Sequence, residues 1–334
     1  QIDLSATPFY HIMTRCVRRS YLCGFDSETG KDYSHRKEWL VRKIKELASI
    51  FSVDIAAYAV MSNHYHLILH VDKKRADNWS YEEIKQRWAR IFSSDAEKYD
   101  NLEKAGIPKA ALEEKYELWR ERLTSISWFM RCLNEPIARM ANFEDNCSGR
   151  FWEGRFKSQA LLSEGAILSA MAYVDLNPIR AGIAITPETS EFTSIHERIA
   201  YASKQGNQTK KQVKVKRLSP TAWKNKCDEL KQPPHLLPFS NHKKTELNKP
   251  AIPFSFSGYL QLVEATGRLM RNDKRGYIHE EIKPLLQRLN LDDDTWFLLV
   301  NGLERNFSCF VGQEQIYGAM KRLGRKAFPI KRAA

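Results

Sequence analysis

Two β-prone runs, Val53–Met61 (VDIAAYAVM) and His64–Val71 (HYHLILHV), stand only Ser62-Asn63 apart. Two residues of that type between strands leave room for little but a tight antiparallel hairpin. Whatever fold the chain adopts must contain a sheet built on it. Upstream, Phe9–Cys16 reads as another strand. Arg36–Phe51 then places Trp39, Leu40, Ile44, Leu47 and Ile50 at helical spacing, with charges opposite. Downstream, Ile126–Asn142 reads as a helix with Phe129, Leu133, Ile137 and Met140 along one side and a kink expected at Pro136. Phe156–Leu162 is strand-like. Ser163 can cap a helix reaching Leu176, with Glu164 favourable in its first turn. Pro178 ends that helix or starts a new turn. Strand, helix, strand, strand, helix, strand is the split β-α-β-β-α-β plan of a ferredoxin-like α+β domain, here with one more helix appended.

Residues 72–125 are highly charged with little core signal and read as a helical insertion at the surface. With 334 residues the chain has material for about two domains. The expected division is a sheet-containing unit over 1–203, a Lys-, Asn- and Pro-rich linker over 204–250, and a small, mainly helical domain over 251–334. Tyr259–Met270 and Glu280–Leu289 are amphipathic stretches of that last part.

Charge separates these parts. Residues 1–200 hold 28 Lys and Arg against 28 Asp and Glu, whereas 201–334 hold 25 against 12, the whole net excess of +13. Lys204–Arg217 (KQGNQTKKQVKVKR) contains Lys210, Lys211, Lys214, Lys216 and Arg217 with no acid. Such a segment suits a polyanion, since each neutralised phosphate releases counterions. A solvated basic linker has the same composition. No 18-residue apolar run is present, so no membrane partner is expected. No charged n-region precedes an apolar stretch, so no secretory signal is expected either. The six cysteines (Cys16, Cys23, Cys132, Cys147, Cys227, Cys309) form no CxxC pair and read as free thiols of a reducing, cytoplasmic setting.

Three motifs carry chemistry. In Asn63-His64-Tyr65-His66, strand geometry puts His64 and His66 on one face, roughly 6.5–7 Å apart along the chain, where two imidazoles can serve one metal ion. His70 shares that face, so an ordinary polar sheet surface has the same pattern. In AYVDLNPIRAGI, Tyr173 and Asn177 lie four apart on a helix. Ile167, Ala170, Met171 and Val174 supply its buried stripe, leaving Tyr173 toward the flank. Taken without the histidines, these residues read first as a half-buried tyrosine anchoring a helix end, with Asn177 as a cap before Pro178. In GRFWEGRFK, Arg150, Arg155 and Lys157 alternate with Phe151, Trp152 and Phe156. That composition suits phosphate contact with base stacking, or an aromatic plug with exposed arginines.

Taken in order, NHYHLILH, GRFWEGRF and YVDLNPIRAG resemble the single-tyrosine HUH transposases, and within them the REP-associated tyrosine transposases. The resemblance spans roughly residues 8–200 and implies that 1–203 is the catalytic unit and 251–334 an accessory DNA-binding domain. It implies that His64 and His66 are metal ligands and Tyr173 the nucleophile. Asn177, where insertion-sequence relatives carry glutamine, is the implied third ligand. It further implies a Mg²⁺ or Mn²⁺ cofactor, single-stranded or hairpin DNA as substrate, and cleavage through a 5′-phosphotyrosine. Arg150, Trp152, Arg155, Lys157 and Arg180, with the basic segment above and Lys321–Arg332, are then candidate DNA contacts. No small-molecule substrate is expected, a nucleoid-associated location follows, and both monomer and homodimer fit. A hairpin-binding protein that no longer cuts, and a phosphohydrolase using activated water, are the alternatives.

Overall fold

A computed structural model describes residues 2–17, 23–26, 30–209, 232–240, 250–269 and 310–311. Strands β1 (Phe9–Arg15), β2 (Val53–Val60), β3 (His64–Val71) and β4 (Lys157–Leu161) form an antiparallel sheet in the order β2-β3-β1-β4. Helix α1 (Arg36–Ile50) connects β1 to β2, and α6 (Ile126–Glu144) precedes β4. This is the split arrangement expected from the order of elements, and the β2–β3 hairpin closes where Ser62-Asn63 predicts it. A two-residue strand β5 (Phe310–Val311) pairs in parallel with β4.

Alternation along the strands divides the sheet into two faces. Tyr10, Ile12, Tyr65, Leu67 and Leu69 point toward α1 and α6 and join a core with Leu40, Ile44, Leu47, Phe129, Leu133 and Ile137. Arg36 fixes the two helices to one another. Fully buried, it pairs with Glu144 at 2.6 Å and Asp145 at 2.5 Å just past the end of α6. Met140 is not part of this core. It is 38% exposed, and Ala141 takes the inward position instead. α6 continues through Pro136 to Glu144.

The charged region is not a bare surface insertion. Helices α2 (Lys73–Asp77), α3 (Tyr81–Ala89), α4 (Ser93–Lys104) and α5 (Lys109–Leu123) enclose Trp88, Tyr116 and Trp119, all essentially buried. Trp88 and Trp119 stack with centroids 5.5 Å apart. The signal is easily missed because long cations lie over the rings, Arg87 at 4.1 Å from Trp79 and Arg122 at 4.3 Å from Trp128. Their apolar stems cover aromatic surface while the charge stays in water.

The other face of the sheet is covered by α7 (Glu164–Asp175), followed by the short α8 (Asn177–Arg180). Ser163 caps α7 by accepting from the Ala166 N–H at 3.2 Å, as its position predicts. Every residue from Gly165 to Asp175 is buried, because the helix is apolar or small all round and is packed on more than one side. Against it lies α10 (Phe256–Leu269), from the chain's C-terminal part, while α9 (Ser194–Thr209) lies beside β2. Part of the stretch read as linker, 232–240, also reaches the core through Leu236, Leu237 and Phe239.

Candidate active site

Register places the site. Cross-strand partners share a face, so Met13 opposite His66, Arg15 opposite His64 and His11 opposite Gln159 define one polar strip under α7. His64 and His66 stand together there, with ring centroids 5.0 Å apart. Tyr173 reaches the same strip from above. Its ring is 5.6 Å from that of His66 and 6.0 Å from that of His11, edge-on to both. Residues separated by more than a hundred positions thus meet around His66.

The interior of this site is polar yet buried. His66 is fully buried, and its Nδ1 lies 2.9 Å from Nε2 of His11. His11 Nδ1 in turn lies 2.7 Å from Oε1 of Gln159 on β4. His64 is half-buried, with its Nδ1 2.5 Å from Oδ1 of Asn63. Burial holds the His66 pKa well below the usual imidazole value, helped by the neighbouring His11 and His64 and by the charges of Arg15 and Arg180. His66 is accordingly a neutral ring with a lone pair to offer.

Tyr173 sits deeper than its flank position in sequence suggests, at 4% exposure. The Arg180 guanidinium lies 4.7 Å over its ring. Asn177 is half-buried at the first position of α8; the helix is interrupted at Leu176, so the four-residue spacing from Tyr173 crosses a break. Two residues after Tyr173, Asp175 anchors the helix. Its carboxylate accepts from Ser194 Oγ at 2.5 Å, from the Ile195 N–H at 3.0 Å and from Tyr259 Oη at 2.6 Å.

Cations rim the site at its open end. Arg15, Arg155 and Lys157, all exposed, share with Met13, Glu153 and Gly154 a pocket of about 200 Å³. Arg150 donates to the Trp152 carbonyl at 2.9 Å. Trp152 lies on the opposite sheet face. Its indole N–H donates to the Asn134 carbonyl at 2.8 Å and its ring packs on Tyr65 and Phe151. For this residue the aromatic plug describes the structure. Lys210, Lys211, Lys214, Lys216, Arg217, the 321–332 segment and the 280–289 stretch lie outside the described residues. Among the described residues no group of three or more His, Cys, Asp or Glu side chains is arranged to hold a metal ion. Nor is any helix among them long and apolar enough to cross a membrane.

Sequence reading passes over His11, Gln159 and Arg15. The available signal is the period-two pattern Phe9-His11-Met13-Arg15, which sets polar residues on the strand face opposite Tyr10 and Ile12.

Among solved structures, the chain is similar to a REP-associated tyrosine transposase bound to a REP hairpin. The likeness covers 60% of this chain and 84% of that one, at 11% identity and a TM-score of 0.36. No protein-family model and no curated protein matches the chain.

Proposed function

We propose that the chain is a tyrosine strand transferase acting on hairpin-associated single-stranded DNA. One observation carries this reading: Tyr173 on α7 meets the paired imidazoles of β3, with its ring 5.6 Å from His66. In the proposed reaction the phenol oxygen attacks a backbone phosphorus. An O–P bond to Tyr173 forms, the P–O3′ bond breaks, and the phenol proton ends on the released 3′ oxygen. The products are a 5′-phosphotyrosine and a free 3′-OH. The aryl ester keeps the phosphodiester linkage available for rejoining, which hydrolysis would not. Arg180, its guanidinium 4.7 Å over the Tyr173 ring, puts a positive charge against the face of the proposed nucleophile. Arg15, Arg155 and Lys157 offer exposed cations to the flanking phosphates.

His64, His66 and Asn177 are the residues that would hold the implied divalent ion, Mg²⁺ or Mn²⁺. The donor set fits: burial keeps His66 neutral, and two imidazoles with one amide oxygen make a mixed, uncharged set that leaves positions for phosphate oxygens and water. When bound, such an ion supplies Lewis-acid relief of phosphate charge.

The test is a labelled single-stranded hairpin incubated with the full chain and Mg²⁺ or Mn²⁺, then resolved under denaturing conditions. The expected result is a covalent protein–DNA adduct that Tyr173→Phe abolishes while hairpin binding persists. An adduct that survives the substitution removes Tyr173 from the role. The depth of Tyr173 and the anchoring of its helix through Asp175 favour a second reading, a hairpin binder that does not cut. Tight binding with no adduct in either metal would select it.

A further inference from the structure

We infer that Gln159 and His11 are positioning residues: they fix the proton of His66 on Nδ1 and so present its Nε2 lone pair to the site. This rests on the reading of His64 and His66 as paired ligands and assigns the residues that prepare one of them. The argument is one of donors and acceptors. An amide oxygen only accepts, so Gln159 Oε1, 2.7 Å from His11 Nδ1, requires the His11 proton to be on Nδ1. A neutral His11 then has its lone pair on Nε2. That nitrogen, 2.9 Å from His66 Nδ1, must accept, which places the His66 proton on Nδ1 and leaves Nε2 unprotonated. All three side chains are buried, His66 fully, His11 at 3% and Gln159 at 8% exposure, so water does not compete for these positions. His64 reaches the same state by a separate and shorter route. Asn63 Oδ1, 2.5 Å from its Nδ1, requires the proton there and leaves Nε2 with the lone pair. Two unrelated contacts, one across three strands and one between adjacent residues, therefore prepare both rings identically. A ring nitrogen can ligate only in this form, and a partner that sets the tautomer of a ligating histidine also raises its basicity.

Reversing the Gln159 amide would reverse the chain of donors, and His66 would carry its proton on Nε2. The experiment uses the full-length protein with ¹⁵N-labelled histidine and no metal. Long-range ¹H–¹⁵N correlation is expected to show His66 with a protonated Nδ1 and an unprotonated Nε2; a protonated Nε2 overturns the inference without any variant having to fold. Calorimetric titration with Mn²⁺ alone then measures the consequence. Gln159→Leu is expected to weaken Mn²⁺ affinity by about 10–100-fold. Unchanged affinity in Gln159→Leu overturns the positioning role. His64→Ala separates this from the parent reading. If His64→Ala binds Mn²⁺ as wild type does, the paired-ligand reading fails even where the tautomer is as inferred. If His64→Ala loses Mn²⁺ but Gln159→Leu does not, only the relay fails.

Discussion

The two faces of the sheet are buried almost equally and built oppositely. Toward α1 and α6, Leu67 and Leu69 meet Leu40, Ile44 and Leu133 with few polar atoms between them. Toward α7, the same strand presents His64 and His66, which meet His11, Gln159 and Tyr173. Depth alone does not distinguish a core from a site. The difference is that one face gains from apolar area removed from water, whereas the other must give each buried polar group a partner. Stability should therefore reside on the first face and chemistry on the second.

The largest effect is expected on the apolar face. Phe129→Ala deletes a fully buried ring and should cost about 3–5 kcal/mol, read by denaturant unfolding. A loss under 1 kcal/mol would break the division. The next concerns pH and belongs to the buried polar contacts that anchor α7. Burial raises the Asp175 pKa to about 6, although Ser194, Tyr259, Arg198 and the Ile195 amide oppose the rise. The folded state thus keeps a proton that the unfolded state has lost, and stability should fall as pH rises from about 4 to about 6, by on the order of 1–3 kcal/mol. Asp175→Asn should flatten that slope in thermal melts across the window. A smaller effect is expected for Ser163→Ala, which removes the α7 cap for about 1 kcal/mol. Smallest in stability is His64→Ala, within about 0.5 kcal/mol because the residue is only half-buried. The same substitution should abolish Mn²⁺ binding and the adduct. A destabilisation as large as that of Phe129→Ala would show His64 to be part of the packing instead.

What sequence made legible follows from the range of the interactions. The hairpin, the Ser163 cap and the amphipathic α1 depend on neighbours within a few positions, and these appear where local pattern puts them. His66 and Tyr173 stand out in motifs. His11 and Gln159 do not, because their importance arises only from register: His11 is opposite Gln159, with His66 one strand over. A lone histidine in FYHIMTR carries no mark of that. The helical insertion misled in the other direction, since cations lying over Trp79, Trp88 and Trp128 disguise an aromatic core as a charged surface. Periodicity alone sets Tyr173 at a flank because it describes one packed side, whereas α7 is enclosed by the sheet and by α10, which follows it by some eighty residues.

The borders of the sheet have one more consequence. Along β2, Val60 N–H donates to the Phe192 carbonyl, Tyr58 N–H to Ser194 Oγ, and the Ile55 carbonyl accepts from Leu237 N–H. At the opposite border β5 pairs with Ala160 and Leu161. Two molecules of this protein therefore cannot merge their sheets into a continuous ribbon across these positions without first peeling away segments of their own.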